Sequence, residues 1–141
     1  MIQGTLGFDA ATLFHDMQLR AVLQHNWARL TGRRRPLPSL FDEQPLVRYR
    51  RGLPRLQSVP VTAIVGSAGR RHDFDAQLRP LRTTSRRRWR AIAAAFLAGV
   101  GLPPVELIRV EQHYYVRDGM HRVSVARALG IAEIEALVED A

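Results

Sequence analysis

An α+β fold, with a small sheet preceded by an N-terminal helix, is what this 141-residue sequence predicts. Three observations carry that expectation. From Val59 onward, short β-branched runs alternate with stretches of helical period, in the order strand, loop, helix, strand, strand, helix, strand. Glycine and proline punctuate the changes, at Gly66 and Gly69, from Gly99 to Pro104, at Asp118-Gly119 and at Gly130. Finally, 46% of the residues are apolar, enough for a buried core and too many for a wholly disordered chain. The length suits one compact domain with a terminal extension.

In chain order, residues 12–31 place Leu13, Met17, Leu19, Val22, Leu23, Trp27 and Leu30 at mostly helical spacing. Asp9 or Thr12 is the candidate cap and Gly32 the stop, so residues 1–31 form an N-terminal helical extension. Residues 32–58 hold Pro36, Pro38, Pro45 and Pro54 with the clusters Arg33-Arg34-Arg35 and Arg48-Tyr49-Arg50-Arg51, and read as an exposed linker. The folded domain is placed at 59–141. Val59 to Val65 is a short buried strand, broken by Gly66-Ser67-Ala68-Gly69. Ser85 caps a helix from about Arg86 to Ala98, with Trp89, Ile92, Ala93, Phe96 and Leu97 on its apolar face. Val105 to Val110 and His113 to Arg117 are strands around a turn at Glu111-Gln112. Asp118-Gly119 breaks the chain sharply. Met120 to Leu129 is a helix closed by Gly130 at C′, and Ile134 to Val138 is the last strand.

Composition excludes several chemistries. There is no cysteine, so disulfides, thiolate metal sites and cysteine nucleophiles are out. No run reaches the roughly 18 apolar residues of a membrane span, and the start MIQGTLGFDAATLF lacks the features of a signal peptide. A cytoplasmic protein without membrane association is the expectation. All 21 basic residues are arginine. A GC-rich genome drifts lysine codons that way, while planar guanidinium groups also suit phosphate recognition. Position says more: residues 1–90 hold 17 Arg against 6 acids, whereas residues 91–141 hold 4 against 7. That lopsidedness makes a polyanionic partner plausible.

Three segments hold candidate chemistry. At Asp118-Gly119-Met120-His121-Arg122 a strand ends, the chain turns and a helix begins, directing free N–H groups and the positive dipole end at any bound anion. Arg122 adds a bidentate donor. Asp118 is placed to cap the helix, to orient His121 or to hold a divalent cation through water. The plain alternative is an Asp-Gly turn with a solvated arginine. The second segment is Gly66-Ser67-Ala68-Gly69-Arg70, a glycine loop after a strand whose N–H groups can face an anion, or an ordinary surface loop. Beside it Asp73 and Asp75 are carboxylates that can hold Mg²⁺ or activate water, and Phe74 is the residue to anchor the loop. The third is Arg86, Arg87, Arg88 and Arg90, whose charges oppose the helix dipole unless an anion binds. Nucleotide phosphate and nucleic-acid backbone both qualify; the alternative is a solvated face with Trp89 in the core. His15, His25, His72 and His113 lack metal-ligand spacing.

The block from Tyr115 to Gly130, with its Asp118-Gly119-Met120-His121-Arg122 helix start and Leu129-Gly130 end, resembles the signature of the ParB/sulfiredoxin-like superfamily. Val59 to Ile64 and Leu102 to Leu107 resemble its first strand and the approach to its second, so the similarity spans roughly residues 59–139. Ile64 to Asp75 also fits the I-x-G-S-x-G-R-x-x-D-F-D pattern of bacterial ParB-like proteins. The resemblance implies a small mixed β-sheet flanked by helices and a nucleotide pocket for CTP, ATP or ADP. Phosphates would lie over Gly119, Met120, His121 and Arg122, with Gly66, Ser67, Gly69 and Arg70 closing from the other side. Mg²⁺ would bridge phosphate oxygens and Asp118 or Asp73. Hydrolysis or phosphate transfer would use Asp118, His121 and Asp73 as catalytic groups, His121 or Arg122 stabilising the developing charge.

Departures from the pattern limit what it implies. Met120 stands where sulfiredoxins need a cysteine, which removes sulfinic-acid repair. The helix-turn-helix that partition proteins carry after this domain is not present by Ala141. No glutamate lies between Val59 and Asp73 to match that of free-serine kinases. Two further expectations stand beside the nucleotide pocket. One is a nucleic-acid module, or a metal-dependent ParB-like nuclease, working through the arginine clusters on DNA. The other is a scaffold or homodimer whose pocket has lapsed.

Overall fold

The computed structural model describes residues 2–31, 36–40, 53–69 and 71–141, with side chains of the first helix described from Ala10 to Gln24. The clusters at Arg33–Arg35 and Arg48–Arg51, and Arg70, lie outside the described residues, as do the side chains of Trp27 and Leu30. The elements are α1 (Ile2–Thr31), β1 (Arg55–Pro60), β2 (Ile64–Ser67), α2 (Arg86–Leu97), β3 (Val105–Val110), β4 (His113–Asp118), α3 (Met120–Ala128) and β5 (Glu133–Asp140). Their five strands form one mixed sheet in the order β1-β5-β3-β4-β2. β1 runs antiparallel to β5, β5 parallel to β3, β3 antiparallel to β4, and β4 parallel to β2. The α+β class holds. Among the described residues no helix is long and apolar enough to cross a membrane.

The run Val59–Val65, expected as one strand, is two. Pro60 has no N–H to extend a ladder, and the chain tightens into a 3-10 turn over Val61–Ala63. It thereby passes from β1 at one edge of the sheet to β2 at the other. β1 also begins at Arg55, inside the stretch read as linker, because its register with β5 runs from Arg55↔Val138 to Pro60↔Glu133. Residues 36–40 likewise touch the sheet. Leu37 and Leu40 are buried, and Ser67 N–H donates to the Pro38 carbonyl at 2.9 Å.

One face of the sheet carries the main core. Val59, Val105, Leu107, Val116, Ile134, Ala136 and Val138 pack there with Met120, Val123 and Ala126 of α3. Two-residue alternation along β5 places Ile134, Ala136 and Val138 inward and Glu133 and Glu135 in solvent. A second cluster joins the helices: Ala10 and Phe14 of α1, Trp89 and Ala93 of α2, and Val125 of α3. Phe14 meets Trp89 edge-on at 5.4 Å between ring centroids. The Trp89 indole N–H donates to the Ser124 hydroxyl at 3.0 Å, so its polar atom is satisfied in the interior. α1 starts at Ile2 rather than near Thr12, and the described residues that dock it include Ala10 and Phe14.

Both later helices end on glycine. At α3, Gly130 (φ +71°) donates to the Arg127 carbonyl and Ile131 to that of Ala126, a Schellman closure; Gly99 and Val100 repeat it after α2. The start of α2 differs from expectation. Ser85 occupies the N-cap position but makes no side-chain cap, because a 3-10 turn over Thr83–Ser85 leads straight into the helix with Ser85 already in helical dihedrals.

Candidate functional site

The turn between β4 and α3 is built around Gly119. Its φ of +102° favours glycine, and a Cβ there would lie 2.7 Å from Val105 Cγ1. The residue is thus required by backbone conformation and by the approach of β3, whatever binds nearby. Gly119 is also the N-cap of α3, with no side-chain cap and no acidic residue in the first turn. Asp118, expected as a possible cap, is exposed instead. The opening amides of a nine-residue helix are therefore uncapped by side chains beside a glycine, the arrangement that suits an anion.

The three residues that follow have separate roles. Met120 is buried in the main core, so only its backbone can serve a ligand. Arg122 turns back onto the preceding loop: Nη1 donates to the carbonyls of Pro103 at 2.5 Å and Pro104 at 3.1 Å, and Nη2 lies 3.4 Å from Asp118 Oδ2. Its guanidinium holds the approach to β3 in place. His121 points elsewhere, half-buried and edge-to-face with Phe74 at 5.2 Å. Its pKa is lowered from the ordinary 6.5, first by burial and then by repulsion from Arg88 and Arg71, with Asp73 opposing weakly.

His121 is thus the centre of a cluster that sequence spacing does not assemble. Arg71 lies over the Phe74 ring at 5.2 Å and grips Asp73 with two bonds, Nε to Oδ1 at 2.9 Å and Nη2 to Oδ2 at 2.7 Å. That grip, the largest of several causes, holds the Asp73 carboxyl below its usual range. Arg88 comes from α2 and has no carboxylate partner among the described residues. In the sequence Arg71 stands out only as part of a motif, and Arg88 only as one of a run. The signal for the first is its spacing to Asp73 beside a buried aromatic. For Arg88 no local signal exists, because its neighbours on α2 point another way.

The glycine loop is less available than its sequence suggests. Gly66 and Ser67 belong to β2. Ser67 N–H goes to Pro38, Ala68 N–H to the Val116 carbonyl at 2.8 Å, and the Ser67 hydroxyl to that same carbonyl at 3.4 Å. Gly66 is demanded by sterics, since a Cβ would sit 2.2 Å from the Pro38 carbonyl oxygen. Gly69 is exposed with open space around it.

Asp73 and Asp75 are both engaged by arginine. Both Asp73 oxygens are held by Arg71. Asp75 is buried and accepts from Gln77 N–H at 3.0 Å, Arg79 N–H at 2.8 Å and Arg79 Nε at 2.8 Å, fixing the turn that Leu78 closes at φ +62°. Among the described residues no group of three His, Asp or Glu side chains is placed to hold a cation.

On α2 the arginines divide. The charge of Arg88 opposes protonation of His121, while Arg86, Arg87 and Arg90 line an open groove of about 720 Å³ against α1, together with Thr83 and Thr84. Trp89 between them is fully buried, so it offers no surface for base stacking.

No family model and no curated protein matches the chain. Among solved structures it is similar to sulfiredoxin from Arabidopsis thaliana, at 21% identity over 62% of this chain and 88% of that chain, with a TM-score of 0.45. The roles of the site residues rest on their own geometry.

Proposed function

We propose that the start of α3 binds the phosphates of a nucleoside di- or triphosphate, CTP, ATP or ADP being the candidates. The observation that carries this is the pairing of uncapped α3 amides with His121, a half-buried imidazole packed on the Phe74 ring that Arg71 also covers and exposed to the charges of Arg71 and Arg88. Without a bound anion, each of those cations disfavours protonation of the ring. A phosphate placed among them accepts from the amides, pairs with the arginines and gives His121 a reason to charge. Arg71 supports the site from one side through Asp73, Arg88 from the other.

Arg122 contributes by holding the Pro103–Pro104 loop rather than by reaching the ligand. Mg²⁺ would arrive on the phosphates, since that ion keeps much of its water and needs few protein carboxylates. Asp118, exposed beside the turn, is the residue to meet one of those waters. For hydrolysis or phosphate transfer, His121 is the group to move a proton, its lowered pKa in the free protein being raised again by the bound phosphate.

Calorimetric titration of CTP, ATP, ADP and GTP, with and without Mg²⁺, tests the binding. Saturable binding of at least one nucleotide is expected, about tenfold weaker in Arg88→Ala, a loss on the scale of one charge-assisted hydrogen bond. Unchanged affinity in that variant would remove the site assignment, and absence of binding by all four would remove the function.

A further inference from the structure

We infer that the groove between α1 and α2 is a second and separate anion surface, one that takes the phosphodiester backbone of duplex nucleic acid. Its walls present three guanidinium groups, Arg86, Arg87 and Arg90, and the hydroxyls of Thr83 and Thr84 around an opening of about 720 Å³. Arg86 and Arg87 are exposed and Arg90 is half-buried. Among the described residues none of the three has a carboxylate partner, and the first turn of α2 contains no acid. Arg71, Arg79, Arg109, Arg117 and Arg122 are each paired with a carboxylate; what sets the groove apart from the other unpaired arginines of the described residues is that three of them line one opening.

The local electrostatics by themselves favour an anion. Cations at a helix start oppose its dipole. Arg86 and Arg87 lie in the first turn of α2 and Arg90 one turn on, around a groove that no carboxylate enters among the described residues. A bound phosphate offsets that repulsion at each one.

The lining then selects among anions. Trp89 is turned into the core and bonded to Ser124, so among the described residues no aromatic platform is offered to an unpaired base. Single strands and free nucleotides rely on such stacking for much of their binding. The other described lining residues are Ala10, Ala91 and Ala94, too small to insert into a lipid layer. What is left is a set of phosphate donors, spaced i, i+1 and i+4 along one helix, that can meet successive phosphates of a backbone. Interactions of this kind position a duplex without reading its sequence. The α3 site is not part of this surface, because neither Arg88 nor His121 is among the described residues that line the groove.

Fluorescence anisotropy with a labelled duplex, measured across a salt series, tests the inference on the full chain. The variant is the combined Arg86→Ala, Arg87→Ala and Arg90→Ala, at positions outside the buried core. Wild type should bind with a steep salt dependence, and equally well when the base sequence is shuffled. The variant should bind at least about tenfold more weakly, its slope shallower by about 0.9 for each phosphate that is no longer neutralised. Two controls separate this surface from charge in general and from the α3 site. Arg55→Ala, Arg109→Ala and Arg127→Ala together remove the same charge elsewhere and should retain most of the affinity; Arg88→Ala should retain duplex binding while losing nucleotide. The inference is overturned if wild type does not bind duplex at low salt, if the groove variant binds as wild type, or if the charge control falls equally. Tighter binding to a single strand, or to phosphatidylserine vesicles, would overturn the choice of duplex.

Discussion

Gly66, Gly69 and Gly119 sit in motif positions that invite a single ligand-based explanation, yet their surroundings differ. Gly119 needs a left-handed backbone and leaves no room beside Val105. Gly66 is pinned by the Pro38 carbonyl, through which residues 36–40 join the edge of β2. Gly69 meets nothing. Adding one methyl at Gly66 must displace backbone, so Gly66→Ala should cost about 1–3 kcal/mol, whereas Gly69→Ala should stay within about 0.5 kcal/mol. Urea denaturation of the two variants checks this directly. Equal stability of both would mean that the 36–40 segment does not rest on β2. Arg122 makes the same point for a charged side chain: a residue that looks like a phosphate donor in sequence is bonded to two prolyl carbonyls in the fold.

The element that concentrates function is the first turn of α3, where His121 lies between a packed aromatic and two arginines. Its folded pKa is lowered, so the unfolded chain takes up the proton more readily. The stability due to neutral His121 is complete above about pH 6.5 and is lost as pH falls through the folded value. Urea denaturation at pH 7.5 and pH 5.5 should therefore show a loss of stability on acidification that is smaller in His121→Gln. Ligand binding works in the opposite direction. A phosphate beside the ring favours its protonation, so phosphate affinity should rise as pH falls over the same interval, and His121→Gln should lose that rise. A flat profile in wild type would show that the anion does not meet the imidazole.

Across the whole molecule, α1 is joined to the sheet domain through the Phe14–Trp89–Ser124 relay, which links all three helices. Truncating a fully buried aromatic costs about 3–5 kcal/mol. Phe14→Ala should therefore lower the stability of the entire chain, seen as one transition shifted to lower denaturant, and should speed proteolysis within α1. A variant with wild-type stability would mean that α1 does not dock. Charge is also distributed at this scale. The basic excess of the first 90 residues includes the unpaired arginines on α2, and the acidic excess of the last 51 includes Glu133, Glu135 and Glu139 along one side of β5. Such a dipolar surface orients an approaching polyanion toward the helices and away from the acidic face of β5.

The sequence by itself determined the class of fold, the placement of β3 residue for residue, the glycine ends of α2 and α3, and the turn at Asp118-Gly119. These are readable because period, cap and turn chemistry act over about four residues of chain. It also excluded cysteine chemistry outright. Tertiary structure alone decided the rest. The β-branched run at Val59 is divided between opposite edges of the sheet, since Pro60 and the following turn respond to Ala132, whose carbonyl accepts from Val61 N–H at 3.0 Å. Leu37 and Leu40 are core residues in a segment whose prolines and arginines suggested exposure. Arg122 is committed to carbonyls 18 and 19 residues earlier, and Trp89 to a hydroxyl 35 residues later. Above all, Phe74 with Arg71 over its ring is brought against His121 from another part of the chain, and the charge of Arg88 on α2 acts on the same imidazole. No periodicity encodes such a meeting, because it depends on how the elements pack after each has formed.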